Sequence, residues 1–139
     1  MQSDFLDAHE RHWDDAERLF SAGRYANADH LYGVAAECGL KRLMVRFGMA
    51  LDPVTGSPAV REDKSHAKSI WARFESYRSG KVEGTGYGLP TLNPFDNWDV
   101  SDRYAHQSNF NQTGVQLHQA GATVIFELIK KAQREGLLV

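Results

Sequence analysis

Arg103 and His106 stand three residues apart in the stretch NWDVSDRYAHQSNFN, which runs from Asn97 to Asn111. An arginine can clamp a phosphate through two parallel N–H bonds. A neutral histidine can take a proton from a ribose 2′-hydroxyl and return one to the leaving oxygen. Together they have the residue types of metal-free RNA cleavage, and one helix face carries both if the last helix begins early enough. The alternative is that Arg103 pairs with Asp99 or Asp102 and that His106 is an ordinary loop histidine. Tyr104, Asn109 and Asn111 flank the pair and join Arg103 as candidate RNA- or nucleotide-contacting residues.

The other constellations point less clearly to chemistry. His9 and His12 fall one helical turn apart in HERH, a spacing at which two histidines can share a metal. The metalloprotease pattern needs two residues between Glu and the second His, and here there is one. Six histidines are spread over the chain without a Glu-x-x-His pair, so no metal and no cofactor are expected. GTGYG, starting at Gly84, is followed by Leu89-Pro90 rather than by a helix, so it reads as a flexible loop and not as a phosphate cradle. Cys38 sits inside an apolar helix and reads as a buried structural thiol. His30, Glu37 and Lys41 share one narrow helical stripe, read here as a solvated face.

Four helices must position these side chains. The first spans about residues 4–22, with Phe5, Trp13, Ala16 and Phe20 at helical spacing and His9 on the same stripe. Ser3 is placed to cap it, Asp7/Arg11 and Asp14/Arg18 to pair along it, and Gly23 to stop it. The second begins at Tyr25 or Asn27 and ends at Phe47. It is apolar nearly all round, the mark of a central helix touched by several neighbours. The third spans about residues 65–77, and the fourth about residues 111–135, with Val115, His118, Ala122, Ile125 and Ile129 along one side. His9 and His118 read as core-edge histidines. Between helices three and four, residues 80–97 carry four glycines and two prolines, a loop long enough to be functional or mobile. A very short strand or turn is expected at residues 98–100. The sum is an all-α, four-helix, up-and-down antiparallel bundle, with room for an extra short helix, in one domain over residues 1–139.

Charged residues make up 24% of the chain and the net charge is −2, so no global basic field recruits nucleic acid and any such binding needs a local patch. One cysteine allows no internal disulfide. The acidic start lacks the apolar core of a signal peptide, and the longest apolar run, ATVIFELI, contains Glu127. A cytoplasmic protein without membrane contact is the expectation.

The second helix carries Ala36-Glu37-x-x-Leu40-Lys41. After a Trp-bearing third helix comes Trp-x-Val-x-x-Arg-Tyr, from Trp98 to Tyr104, just ahead of the final helix. Over about residues 5–135 this pattern resembles the HEPN superfamily (higher eukaryotes and prokaryotes nucleotide-binding). The resemblance implies a bundle of four or five helices, commonly a homodimer. It implies that active members are metal-independent endoribonucleases, with an Arg followed after four to six residues by a His near the start of the last helix. Two such motifs meet across the dimer. Other members are antitoxins, nucleotide-binding modules or adaptors beside nucleotidyltransferases. In this chain only two residues separate Arg103 from His106, and the positions five to seven beyond Arg103 are Ser108, Asn109 and Phe110. Arg103 is the residue that carries over. The expectation is an RNA- or nucleotide-associated module of toxin–antitoxin or defence type. Its partners would be a second copy, RNA or a nucleotide, and a cognate antitoxin or nucleotidyltransferase. Cleavage through Arg103 and His106 is one alternative, and a non-catalytic dimeric adaptor is the other.

Overall fold

A computed structural model describes residues 1–139. Four α-helices carry it: α1 (Phe5–Ser21), α2 (Tyr25–Arg46), α3 (Ala67–Arg78) and α4 (Gln112–Arg134). There is no sheet, only one isolated bridge between Leu51 and Pro58. The chain is an all-α helical bundle, as its periodicity predicts. No helix is long and apolar enough to cross a membrane.

The caps explain where the helices begin. Asp4, not Ser3, caps α1: its carboxylate accepts from the Asp7 N–H at 3.0 Å. Asn111 caps α4 in the same way through the Gly114 N–H at 2.8 Å. Side-chain caps of this kind satisfy N–H groups that no helix can satisfy internally. Asp7 reaches Arg11 at 3.3 Å, whereas Asp14 and Arg18 form no ion pair. Gly23, at φ +74°, turns the chain from α1 into α2 in the left-handed region. The third helix starts two residues later than its pattern predicts, because residues 61–64 form a separate 3-10 turn. Asp63 on that turn is fully buried and accepts from Arg73 Nε at 2.6 Å and Tyr77 Oη at 2.5 Å, which fastens the turn to α3.

Helix α2 is central. It packs against α1, α3 and α4, and twelve of its residues are buried. Leu40, Leu43 and Met44 from α2 meet Ile70 and Phe74 from α3 and Ile125 and Ile129 from α4 in one core. Two glycines let neighbours come close to it. A Cβ on Gly33 would fall inside the indole of Trp98, and one on Gly39 would collide with His9 and Ile125. Trp98, 1% exposed, fills the Gly33 slot and donates from Nε1 to the Asp29 carbonyl at 3.0 Å.

The glycine-rich connection is anchored rather than loose. Tyr87 and Phe95 are buried. Tyr87 Oη donates to Glu135 at 2.5 Å, Lys131 donates to the Gly86 carbonyl at 2.5 Å, and Asn93 donates to the Lys68 carbonyl at 2.7 Å. The reading of GTGYG as a flexible loop is therefore corrected. Its tyrosine is a core residue, which a search for glycine motifs passes over.

His9 is a core residue and not an edge residue, with no exposed surface. Its Nδ1 donates to the Ala35 carbonyl at 2.7 Å, and its Nε2 is buried without a partner. Burial holds its pKa below 6.5, and burial does the same to His12 and His30. In the unfolded chain these rings take up protons near 6.5. The folded state resists that uptake, so this stability is complete above 6.5 and is lost as the pH falls through the lower folded values. We expect the melting temperature to drop on acidification below 6.5. His9→Gln keeps an N–H donor and should flatten part of that slope; an unchanged slope would remove His9 as its source.

Candidate functional site: two adjoining clefts

The stretch from Trp98 to Asn111 does not join α4. Residues 100–104 form one 3-10 turn and residues 107–109 another. Asp99 and Asp102 cap the first reciprocally: Asp99 accepts from Ser101, and Asp102 accepts from the Asp99 N–H at 3.2 Å. The Ser101 side chain and N–H hold the Asp99 carboxyl below its usual range. Helix α4 begins only at Gln112, so Arg103 and His106 do not share a helix face. Successive short turns with extended breaks replace the early helix start, and the expected strand or turn at residues 98–100 is the entry to the first of them.

Arg103 pairs with neither Asp99 nor Asp102, nor with any other carboxylate. Its guanidinium lies over the Tyr104 ring, 4.8 Å from the centroid, and donates to Tyr104 Oη at 2.9 Å. Such stacking orients a guanidinium and leaves its remaining N–H donors in solvent. Both residues are exposed. Arg103 also acts on its surroundings: after burial, its charge is the next cause that lowers the His30 pKa.

His106 is exposed and caps the second turn. Its Nδ1 accepts from the Ser108 N–H at 3.2 Å and meets Ser108 Oγ at 2.9 Å. Accepting on Nδ1 leaves the ring proton on Nε2. As held, His106 is a hydrogen-bond donor to anything in front of Nε2, and it has no open lone pair. Asn109 donates from Nδ2 to the His106 carbonyl at 2.9 Å, leaving its own Oδ1 free.

These turns stand as a wall between two clefts. The first, about 500 Å³, lies over the start of α2 and is lined by Arg24, Tyr25, Asn27, Arg103, His106 and neighbouring residues. Arg24 occupies the cap position of α2, where its side chain accepts no hydrogen bond, so the first N–H groups of this 22-residue helix have no side-chain partner. The second, about 360 Å³, is lined by Asp29, Asn97, Asn109, Asn111 and His118 among others. Asp102, Ala105 and Phe110 belong to both.

The floor of the second cleft contains groups that local sequence patterns miss. His118 Nδ1 meets Asp29 Oδ1 at 2.5 Å, and its Nε2 meets Asn97 Oδ1 at 2.8 Å. Asp29 and His118 are both buried; Asn97 is exposed. Asp29 and Asn97 thus hold the ring from both of its nitrogens. The signal for Asp29 was present: an acid in the first half of an otherwise apolar helix. Its partner is 89 residues away, beyond any local pattern.

The His30–Glu37–Lys41 stripe is not a solvated face. Lys41 is buried, and Glu37 accepts from its Nζ at 2.9 Å and meets His66 Nδ1 at 2.9 Å. His30 lies nearly parallel to Trp98, at 13° between the rings. The segment leading into α3 and the indole of Trp98 cover this side of α2, so its charged groups pair with one another. Cys38 is buried, and burial pushes its thiol up to about 12, which makes it inert at neutral pH. His9 and His12 gather no third ligand, and no group of three His, Cys, Asp or Glu is placed to hold a metal ion.

Compared with family models, curated proteins and solved structures, the chain has no match.

Proposed function

We propose that the cleft over the start of α2 binds the phosphate of an RNA or a nucleotide, and that the chain is a nucleotide-associated module of HEPN type. One observation carries this reading: Arg103, stacked on Tyr104 and free of any carboxylate, faces the same cleft as Arg24 and the uncapped end of α2. Two guanidinium groups and the free N–H groups at the positive end of a long helix dipole are complementary to a phosphate. The local positive field also accounts for anion binding by a chain whose net charge is −2. The HEPN resemblance of the Trp98–Tyr104 segment points the same way. It extends the proposal to a homodimer of toxin–antitoxin or defence type, with an antitoxin or nucleotidyltransferase as partner.

Cleavage is a second reading, favoured by Arg103 and His106 lining one cleft. It requires Ser108 to release His106 Nδ1, because a general base needs a free lone pair.

The test is titration of a labelled short RNA and of nucleoside monophosphates, with EDTA present. Arg103→Ala should weaken binding by about tenfold or more, the loss typical of one charge-assisted phosphate contact. It should also reduce the salt dependence by about one ion. Absence of binding at low salt, or full affinity in both Arg103→Ala and Arg24→Ala, would sink the phosphate reading. RNA recovered intact from the same mixture would exclude cleavage. Cyclic-phosphate products lost in both Arg103→Ala and His106→Ala would establish it.

A further inference from the structure

Tyr104 is the one aromatic among the large apolar side chains left exposed on this chain, at 78%. It ends the first 3-10 turn and takes no part in the core. A lone exposed ring is ordinary on a protein surface. This one is tied to the unpaired cation of the phosphate cleft. The Arg103 guanidinium lies 4.8 Å from its centroid and donates to its Oη at 2.9 Å. Two contacts from one side chain fix the ring, so little freedom is left to lose when a ligand lands on it. Arg103 takes one face, and the exposure leaves the opposite face in solvent.

We infer that this open face stacks on an unpaired base, and that the ligand of the phosphate cleft is a flexible single strand of nucleic acid; this deepens the phosphate reading and rests on it. Arg103 touches both partners at once: it lines the cleft and lies on the ring. A strand carries its bases and phosphates in the same alternation, joined through single sugars. Base–aromatic stacking accepts every base, because each has a π-face, and a cation on the far side of the ring adds to it. A duplex cannot use the ring, because its bases are already stacked and paired, and only its phosphates remain for Arg103. Tyr104 lines neither cleft, so no wall closes over the base or selects its edge. An open platform of this kind reads neither sequence nor sugar, and it lets the strand run on past it. The charge agrees: Asp102 is the only carboxylate lining the phosphate cleft, against Arg24 and Arg103.

The experiment is calorimetric titration of the full chain at low salt with hexauridylate, its deoxy counterpart, a strand of the same length without bases, a blunt RNA duplex and ribose 5-phosphate. Both single strands should bind about fivefold or more tighter than the baseless strand, the gain typical of one base–aromatic stack. Tyr104→Ala should abolish that gain and leave the baseless strand and the duplex unchanged. Tyr104→Phe keeps the ring and should keep the gain. Tyr104 is exposed, so both variants should fold, which circular dichroism and a melting curve check. If the baseless strand binds as tightly as hexauridylate, or if Tyr104→Ala weakens both equally, the ring only positions Arg103; stacking is overturned and the phosphate cleft stands. If the duplex loses as much as the single strand in Tyr104→Ala, the assignment to unpaired bases fails. A deoxy strand more than about tenfold weaker would place the gain on the 2′-hydroxyl and overturn the open platform. If none of the five binds, ribose 5-phosphate included, the phosphate reading fails and this inference with it.

Discussion

Asp29→Ala lowers the folding stability by about 3–5 kcal/mol, the cost of leaving one member of a buried ion pair without its partner. Asp29 and His118 are each buried, and they join α2 to α4 at 2.5 Å. Removing the carboxylate leaves His118 Nδ1 buried without a partner and loosens the ring that meets Asn97. Urea denaturation measures the loss. Asp29→Asn should cost less, since an amide oxygen still accepts from Nδ1. Replacing Asp29 and His118 together by leucine should recover much of the stability, because apolar pairs replace buried ion pairs at little or no cost. A loss below about 1 kcal/mol for Asp29→Ala would place the pair in the class of exposed ion pairs and contradict its burial.

Trp98→Ala is the second large effect, at about 3–5 kcal/mol, the range for truncating a buried aromatic. The indole fills the space over Gly33, lies edge-on to Phe95 with centroids 6.5 Å apart, and donates to the Asp29 carbonyl. Gly33→Ala provides the reciprocal case. The added methyl needs the place of the indole ring, so Trp98 must leave its slot, and the destabilisation should approach that of Trp98→Ala. Tryptophan emission should shift to longer wavelength in Gly33→Ala; an unshifted spectrum with full stability would show that the slot accommodates a side chain.

Much of this architecture is legible in the sequence. Helices α1, α2 and α4 announce themselves through apolar spacing, and Gly23 marks the end of α1. The all-round apolarity of α2 correctly marks it as central. The 3-10 turns at residues 100–104 and 107–109 are not legible, because segments of three to five residues show no periodicity. Their invisibility in the sequence is why a shared helix face for Arg103 and His106 stays open there. His118 is visible on the α4 stripe, but its partners Asp29 and Asn97 lie far away in sequence. The stripe at His30, Glu37 and Lys41 failed as a solvated face for the same reason: His66 and Trp98 cover it, and a wheel drawn for one helix cannot contain them.

The wall between the clefts bears on how variants combine. Asp102, Ala105 and Phe110 line both clefts, so a substitution at any of them reshapes the two at once. Free-energy changes at these three positions will not sum with those at Arg103 or Asn97, because the perturbed contacts are shared. Arg24 and Arg103 on one side, and Asn97 and Asn109 on the other, should combine additively across the wall. The two clefts can drift separately through those outer positions and only jointly through the wall, so epistasis in this fold is concentrated in three residues of one short segment.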